Sequence, residues 1–426
     1  MLKLRIGDFL TERKIRYKPS EANHLGFLRI EKIDFNGNIH LVENKPTKTD
    51  MILVKPYDLV ISGINVQKGA LGIYSGNSNA LATIHYSSYE YDENIIDLDY
   101  FKYFLRSSKF IHELESQTGS GIKTELKPKK FLTLNIELPS IDKQKQIAYL
   151  IRSSSTQLDK LNIKIAEQEI LLKKLYDSIL QDAISGKLVP QNSHDESAVV
   201  LLEKIQSEKI KLINEGKLKK EKPLPKISSK EIPFDLPHGW VWARMGEVVN
   251  YSQNKTILPD SIKENTWILE LEDIEKDTCK LSRKIYSNER KPNSSRVLFK
   301  PNNVLYGKLR PYLNKAIIAN DYGCCSSEII PIELFANTNP KFIQYMLVSK
   351  YFSEYATKCS FGTKMPRLGT EDAINAIIPI PPLQEQKLIV NKIECLLKKY
   401  FQLKENMNLI KINANNLLQS VLNEYF

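Results

Sequence analysis

Apolar residues recur every seven positions along residues 141–184, and this heptad pattern predicts one long amphipathic helix. The residues of this first seam are Ile151, Leu158, Ile165, Leu172 and Ile179, with Leu161 and Leu175 at intermediate positions. No proline or glycine interrupts the segment, and its other faces are rich in lysine and glutamate. At about 1.5 Å per residue, such a helix is on the order of 60 Å long. It either pairs with a second helix or lies buried in the core of a domain.

The heptad pattern has a second copy near the end of the chain. The segment Pro139-Ser-Ile-Asp-Lys-Gln144 is similar to Pro381-Pro-Leu-Gln-Glu-Gln386, which lies 242 positions further along. The residues of the second seam are Ile393, Tyr400, Met407, Ala414 and Val421, with Leu396, Leu403, Ile410 and Leu417 at intermediate positions. Because matching seams can cover each other, the two copies predict a pair of long helices.

The residues that precede each long helix predict a mixed α/β domain. Residues 52–54, 59–61 and 70–74 have the apolar character of strands, residues 100–114 predict a helix, and the alternation over residues 132–138 predicts a strand. In the second half, Arg244-Met-Gly-Glu247 is similar to Arg5-Ile-Gly-Asp8, and Ile374, Ala376, Ile378 and Ile380 correspond to the last strand of the first domain. The chain is therefore predicted to be an α+β protein with an internal repeat.

A different kind of sequence separates the two halves. Gly186 and Pro190 predict the end of the first long helix, and residues 197–215 predict a shorter one. Residues 217–225 form a basic, proline-containing linker, which is either a solvated connector or a contact for DNA. The predicted boundaries are 1–139 for the first domain, 140–185 for the first long helix, 186–236 for the short helix and linker, 237–381 for the second domain and 382–426 for the second long helix.

The composition limits the classes of partner and compartment. The chain has 61 Lys and Arg against 50 Asp and Glu, and its net charge of +11 is compatible with a polyanionic partner. No apolar run is long enough for a membrane span, and the first residues lack the apolar core of a signal peptide, so we expect neither insertion nor export. The five cysteines form no C-x-x-C pair, which fits a reducing cytoplasm.

The sequence lacks the motifs of the catalytic classes that act on DNA. A G-x-x-x-x-G-K-[ST] phosphate loop and the methyltransferase tetrapeptide with two adjacent prolines are absent, so neither motor nor methyltransferase activity is expected. Asp260, Glu270 and Glu272 loosely resemble the carboxylates of a nuclease, but the lysine that such a site needs is missing. The six histidines have no metal-ligand spacing. We therefore expect no catalytic residue, no metal site and no cofactor of the chain's own.

Basic, aromatic and amide side chains in loops are the candidates for contact with DNA. In the second half these are Lys308, Arg310, Tyr312, Lys315, Lys364 and Arg367, and in the first half they are Asn65, Gln67, Lys68 and Lys123. Arginine can bind guanine through two parallel hydrogen bonds, asparagine and glutamine suit adenine, and lysine mostly contacts phosphate. Each of these residues can equally be an anchor that packs a turn, and the bases read do not follow from the sequence.

Five segments together resemble the specificity subunits of type I restriction–modification enzymes. They are Gly186-Lys-Leu-Val-Pro190, Pro237-His-Gly-Trp240, Gly307-Lys-Leu-Arg-Pro-Tyr-Leu-Asn-Lys315, Ser326-Ser-Glu-Ile-Ile-Pro331 and Pro381-Pro-Leu-Gln-Glu-Gln386. Their order, together with the duplicated helix, makes the resemblance specific over the whole chain. The first copy departs from the family's proline-proline-leucine start, since it reads Pro139-Ser-Ile141, although Ser140 is itself a good helix cap.

The resemblance implies a DNA-reading scaffold without chemistry of its own. Each domain would be a target-recognition domain that binds one half of a bipartite, asymmetric sequence in double-stranded DNA. The long helices would be antiparallel and coiled-coil-like, would relate the halves by a pseudo-twofold axis, and would dock two methyltransferase subunits that carry S-adenosylmethionine. Restriction and motor subunits with ATP and Mg would complete a phage-defence complex in the prokaryotic cytoplasm.

Two other readings stay open. One is a coiled-coil adaptor whose globular repeats bind protein rather than DNA. The other is a specificity subunit that serves a related phage-defence system. The basic balance of the chain and its basic, aromatic loops favour DNA recognition over the adaptor.

Overall fold

The chain is divided into two compact units. The computed structural model describes residues 2–35, 37–43, 45–63, 70–105, 107–118, 128–251 and 253–425. Unit 1 comprises Met1–Ala166 together with Met407–Phe426, and unit 2 comprises Glu167–Asn406. Unit 1 is thus built from two separate stretches of the chain, whereas unit 2 is continuous.

The first half of the chain is rich in short strands. Its strands are β1 (Leu2–Arg5), β2 (Leu10–Glu12), β3 (Arg16–Tyr17), β4 (Leu28–Ile33), β5 (Ile39–Val42), β6 (Met51–Val54), β7 (Leu59–Ser62), β8 (Leu71–Ile73), β9 (Ala80–Thr83), β10 (Tyr86–Tyr91) and β11 (Asn135–Leu138). Its helices are α1 (Pro19–Ala22), α2 (Leu98–Phe104), α3 (Ser108–Thr118), α4 (Pro128–Leu132) and the long α5 (Ile141–Ile184).

The second half repeats this alternation. Its strands are β12 (Val241–Arg244), β13 (Val249–Asn250), β14 (Thr256–Ile257), β15 (Trp267–Leu269), β16 (Arg296–Phe299), β17 (Val304–Gly307), β18 (Ala316–Ile318), β19 (Gly323–Cys325), β20 (Ile329–Leu334) and β21 (Ile377–Ile380). Its helices are α6 (Ala198–Asn214), α7 (Met245–Val248), α8 (Pro340–Leu347), α9 (Lys350–Lys358), α10 (Thr370–Asn375) and the long α11 (Leu383–Tyr425).

The strand order of unit 1 is found again in unit 2. Unit 1 has sheets of order β1-β11, β2-β10-β7-β8 and β3-β6-β9-β4-β5, and unit 2 has sheets of order β12-β21, β13-β20-β17-β18 and β14-β16-β19-β15. Among the strands that the structure describes in unit 1, the edge strand β5 has no counterpart in this scheme. The parallel pair β4–β9 corresponds to the parallel pair β15–β19. The two units therefore share one topology, while a pseudo-twofold axis between them stays a prediction.

The prediction of two long helices from the heptad pattern is confirmed by α5 and α11. Each of them contributes residues to both units. In unit 1, Ile147 and Ile151 near the start of α5 belong to the same apolar cluster as Val421 near the end of α11. In unit 2, near the other end of α5, the ring centroids of Tyr176 and Tyr400 are 5.4 Å apart. The start of one helix thus packs with the end of the other, which is the order of an antiparallel pair.

The seam residues are buried or half-buried along both helices. Ile151, Ile165 and Ile179 of the first seam are buried, and Leu158 and Leu172 are half-buried. In the second seam Ile393, Met407 and Ala414 are buried, and Tyr400 and Val421 are half-buried. Removing apolar side chains from water is the main stabilising contribution of such a stripe.

Most of the predicted intermediate positions are not covered. Leu161 and Leu396 are half-buried, but Leu175, Leu403, Ile410 and Leu417 are exposed, and in place of Leu175 the neighbouring Tyr176 is buried. An undistorted helix turns every 3.6 residues, so its buried stripe drifts by about 20° per heptad away from a strict seven-residue repeat. The expectation that both rows of each seam are buried was therefore wrong.

Two elements of the first half also differ from the sequence prediction. The single helix expected over 100–114 is interrupted, because Ser107 Oγ donates to Phe104 O at 2.7 Å and accepts from Phe110 N at 3.2 Å, as an N-cap does. The strand expected from Leu132 begins only at Asn135, since Leu132 ends the short helix α4. Likewise, Ile374 lies in α10 rather than in the last strand of unit 2.

No helix in the described ranges is long and apolar enough to cross a membrane.

Candidate nucleic-acid interface

Four predicted contact residues lie in the loop between β17 and β18, which we call the first loop (308–315). Arg310 and Asn314 have positive φ angles of 51° and 49°, and they flank one turn of 3-10 helix at Pro311–Leu313. A left-handed backbone is rare for residues other than glycine, and such strain is often found at functional sites. The turn leaves the side chain of Tyr312 48% exposed.

A second loop (361–367) lies beside the first and is fastened to it. Arg310 N donates to Pro366 O at 2.7 Å, and Leu368 N donates to Lys308 O at 3.0 Å. The Arg310 guanidinium reaches the same loop, since its Nη2 donates to Lys364 O at 3.4 Å. The predicted residues Lys308, Arg310 and Lys364 are therefore brought together, although they are far apart in sequence.

Three cations of this surface have side chains that are available to a ligand. Lys364 is exposed and Lys308 is half-buried, and neither forms an ion pair with a residue that the structure describes. Arg310 Nε is buried and has no hydrogen-bond partner within the described part of the chain. Arg310 as a whole is half-buried, so part of this residue is accessible to a ligand.

Arg367 and Lys315 are already engaged within the protein. The Arg367 guanidinium binds both oxygens of Glu328, with Nε–Oε1 and Nε–Oε2 distances of 3.0 Å and an Nη2–Oε1 distance of 2.9 Å. The hydrogen bond and charge of Glu328 raise the pKa of Arg367. Lys315 Nζ donates to Leu271 O at 2.8 Å, and burial lowers the pKa of Lys315. Contact of either side chain with DNA would first require these interactions to open.

Two residues of this surface were missed by the sequence analysis. Phe361 and Met365 lie on the second loop and are 61% and 49% exposed. The available signal was an aromatic residue beside Gly362 and three residues before Lys364, in a loop already selected for its charge. Asn65, Gln67, Lys68 and Lys123 of the first half lie outside the residues that the structure describes.

Two of the three carboxylates that resembled a nuclease cluster are bound by arginines. Arg296 Nη2 donates to Glu270 Oε1 at 2.6 Å, and Arg290 Nη2 lies 3.5 Å from Glu272 Oε1. Asp260 is exposed in a different turn. Ion pairing with arginine therefore accounts for Glu270 and Glu272. Among the described residues, no group of His, Cys, Asp and Glu is arranged to hold a metal ion.

The basic linker is anchored to unit 2 rather than free. Gln253 clamps the backbone of Lys219, accepting from its N at 2.5 Å and donating to its O at 2.8 Å. Arg244 donates to Pro225 O at 3.1 Å and to Lys226 O at 3.3 Å. The lysine side chains of the linker are exposed, so the linker is a positively charged strap on the surface of unit 2.

Three of the five family-like segments meet at one joint in unit 2. Trp240 Nε1 donates to Glu385 Oε2 at 2.8 Å. Gln191 Nε2 donates to Glu385 Oε1 at 3.2 Å and to Gly186 O at 2.5 Å. Glu385 is buried, and this burial raises its pKa. The joint connects the end of α5 to the start of α11, so these segments serve the fold rather than the ligand.

Gly186 is required by the geometry of this joint. Its φ is +71°, and a Cβ at this position would collide with the ring of Pro237 and lie 3.3 Å from Trp240 Cζ2. Only glycine combines a left-handed backbone with the absence of a side chain.

The comparisons with known proteins agree with this architecture. Residues 237–414 match the family described as "Type I restriction modification DNA specificity domain". The chain is 30% identical over 249 residues to the EcoAI specificity subunit of Escherichia coli, an alignment that covers 55% of this chain and 41% of that one. It is 25% identical over 356 residues to the EcoDI specificity subunit of the same species, covering 83% and 74% of the two chains.

A solved structure from a study of "complex assembly and conformational transition of the type I R-M system" contains a chain with the same fold. The TM-score is 0.68 at 14% sequence identity, and the match covers 100% of this chain and 97% of that one. The sequence match thus identifies a type I restriction modification DNA specificity domain in residues 237–414, and the structural match shows that the whole chain shares the fold. The chain as a whole is similar to the specificity subunits of type I restriction enzymes, although it spans less than half the length of the EcoAI subunit that it matches.

Proposed function

We propose that this chain recognises the DNA target of a type I restriction–modification complex. The observation that carries the proposal is the pair of fastened loops in unit 2, which brings Lys308, Arg310 and Lys364 together on one surface. Lysines suit the phosphates, and an arginine can bind a base edge through two hydrogen bonds. The match of residues 237–414 to a DNA specificity domain supports the same assignment.

We assign residues 1–139 and 237–381 as two target-recognition domains, each for one half of a bipartite, asymmetric site in double-stranded DNA. The shared strand order of the two units supports this, because two copies of one topology can read two half-sites in the same manner. Residues 140–185 and 382–426 are the long helices, and residues 186–236 are the short helix and the strap. Different loop residues on each copy would make the target asymmetric.

The long helices are the proposed docking elements for two methyltransferase subunits. On α11, the exposed apolar residues Leu403, Ile410 and Leu417 recur at heptad spacing, and α5 exposes Ile163, Ile170 and Leu171. Apolar rows on a water-facing helix typically mark a protein contact. The row on α11 consists of positions that the sequence had assigned to the contact between the two helices, whereas the exposed residues of α5 lie outside its predicted seam.

The chemistry of the complex is assigned to the partners. The methyltransferase subunits would bind S-adenosylmethionine, and restriction and motor subunits would bind ATP and Mg, in the cytoplasm of a prokaryote. This chain would contribute recognition and assembly and no catalytic residue. That division agrees with the arginine pairing of Glu270 and Glu272 described above.

A selection from a random duplex pool tests the proposal. The full chain is purified with the methyltransferase subunits encoded beside it, bound to the pool, and the retained DNA is sequenced. We expect enrichment of one motif with two half-sites and a fixed gap. Double substitution of Lys308 and Lys364 by Ala should abolish enrichment, whereas Lys263→Ala, at an exposed lysine elsewhere in unit 2, should preserve it. A pool that returns with its input composition, from a complex that still assembles, would indicate an adaptor instead.

A further inference from the structure

Two large apolar side chains, Phe361 and Met365, stand exposed on the second loop (361–367). Leaving apolar surface in water is unfavourable by about 25 cal/mol per Å². A disordered loop would account for such exposure, but this loop is a closed turn. Phe361 N donates to Arg367 O at 3.1 Å, and Arg367 N donates to Phe361 O at 2.9 Å.

Local packing also sets the position of these side chains. Gly362 has a φ of +95° and faces Met365 O, which would lie only 3.2 Å from a Cβ at Gly362, so the turn is shaped around a glycine. The ring of Phe361 lies beside Gly369, where a Cβ would be 3.7 Å from Cε1. The ion pair of Arg367 with Glu328 holds the other end of the turn. The exposed pair is therefore preorganised.

The charge around the pair indicates which partner it meets. Lys364 lies between Phe361 and Met365 in sequence, and the fastened first loop adds Lys308 and Arg310. An apolar protein surface has no anionic groups with which these cations could pair. A nucleic acid offers both parts, because its phosphates attract the cations and its stacked bases present apolar faces.

We propose that Phe361, supported by Met365, inserts against the base pairs of the half-site bound by unit 2 and partly unstacks one base step. This rests on the proposed function and adds a second means of recognition to it. An inserted apolar side chain kinks the duplex, and the ease of kinking depends on the base step. Phe361 thus makes unit 2 select an easily unstacked step as well as the base edges.

Fluorescence of 2-aminopurine tests the insertion, since its emission rises on unstacking. The probes are duplexes selected by the wild-type complex, with 2-aminopurine placed at successive positions of both half-sites. We expect Phe361→Ala to remove the rise at one step in a single half-site and to weaken binding roughly 10-fold or more. The dependence of affinity on salt should stay unchanged, because no phosphate contact is lost.

Two variants make the result specific. Phe361→Trp should keep both the fluorescence and the affinity, since a larger aromatic ring can still insert. Tyr322→Ala removes a ring that is 70% exposed elsewhere in unit 2 and should change neither.

Four outcomes would overturn the insertion. One is a fluorescence rise that persists in Phe361→Ala, which would arise from base flipping by the partner. The second is a loss of methyltransferase subunits from Phe361→Ala with selective binding intact, which would make this loop a protein contact. The third is a wild-type complex without sequence selectivity, which would remove the proposed function itself. The fourth is selective binding that does not change on replacement of Phe361, which would remove only the insertion.

Discussion

Gln386 Oε1 accepts a hydrogen bond from the backbone N of Asn339 at 2.9 Å. The same bond occurs in unit 1, where Gln144 Oε1 accepts from Asp97 N at 2.9 Å. Asn339 and Asp97 are the N-cap residues of α8 and α2. Each long helix is therefore fastened, in its first turns, to the start of a helix in its own globular region, and the internal repeat extends to single hydrogen bonds.

Replacing either glutamine should destabilise the unit to which it belongs. Gln386→Ala leaves the half-buried Asn339 N without its acceptor, and we expect a loss of about 1–3 kcal/mol in the free energy of unfolding. Gln144→Ala should have a similar effect. The matched controls are Gln384→Ala and Gln146→Ala, which are exposed on the same helices. Urea denaturation measures whether the buried glutamines contribute more to stability than the exposed ones. Equal midpoints for Gln386→Ala and Gln384→Ala would contradict this expectation.

Gly186→Ala should be more harmful than the same change at Gly216. Both glycines have left-handed backbones, with φ of +71° and +68°. Only Gly186 faces Pro237, whereas nothing lies within 4 Å of a Cβ at Gly216. We expect the free energy of unfolding to fall by on the order of 1 kcal/mol in Gly216→Ala and by about 3 kcal/mol in Gly186→Ala. Thermal unfolding of both variants measures the difference, and the collision at Gly186 is unimportant if their transitions coincide.

Substitutions on α11 should separate stability from assembly. Ile393 is fully buried, and Ile393→Asp should destabilise unit 2 by on the order of 3–5 kcal/mol because the charge has no partner. Leu403 is 49% exposed, so Leu403→Asp should leave folding unchanged and reduce the yield of copurified methyltransferase. Circular dichroism and the stoichiometry of the purified complex test the pair. Full assembly by Leu403→Asp would exclude this row from the docking surface.

Lys308→Ala should weaken DNA binding for all sequences about equally. Loss of one phosphate contact reduces the slope of log affinity against log salt by roughly one unit. Arg310→Ala should instead relax the preference at one base position of one half-site. Fluorescence anisotropy from low to physiological salt checks both, with Lys263→Ala as the control. An unchanged slope would place Lys308 outside the interface.

The buried carboxyl of Glu385 should make stability depend on pH. Its raised pKa means that the folded state binds this proton more tightly than the unfolded chain does. The resulting stabilisation is present below the ordinary pKa of a glutamate, about 4.3, and is lost as the pH rises through the folded pKa. The free energy of unfolding of the wild type should therefore fall, relative to Glu385→Gln, over this interval. Urea titrations across pH 4 to 8 measure it. Glu371→Gln, at an exposed glutamate, should show no such difference.

The long helices were predictable because their signal is local and repetitive. The heptads of residues 141–184 reproduce the bounds of α5, since no proline or glycine interrupts them and Gly186 follows. Which row of each seam is covered was not predictable, because exposure depends on drift and on the other helix. Tyr176, rather than Leu175, is buried for this reason.

The candidate interface was predictable only in part. The charges of Lys308 and Lys364 singled out both loops, but their contact depends on hydrogen bonds between residues more than fifty positions apart, which leave no local pattern. The same holds for the pairing of Arg367 with Glu328, which engages the guanidinium of a residue predicted to contact DNA. Phe361 was missed because an isolated aromatic residue normally predicts a core position.

The division of the chain has a consequence for biosynthesis. Unit 2 is a continuous segment, so its residues are synthesised one after another without an insertion from elsewhere in the chain. Unit 1 includes Met407–Phe426, and its apolar cluster contains Val421. Its sheets, although made first, must wait for more than two hundred further residues before α11 can cover them. During this interval Ile147 and Ile151 lack their partner on α11, which makes the nascent first unit the stage at which a chaperone would be needed most.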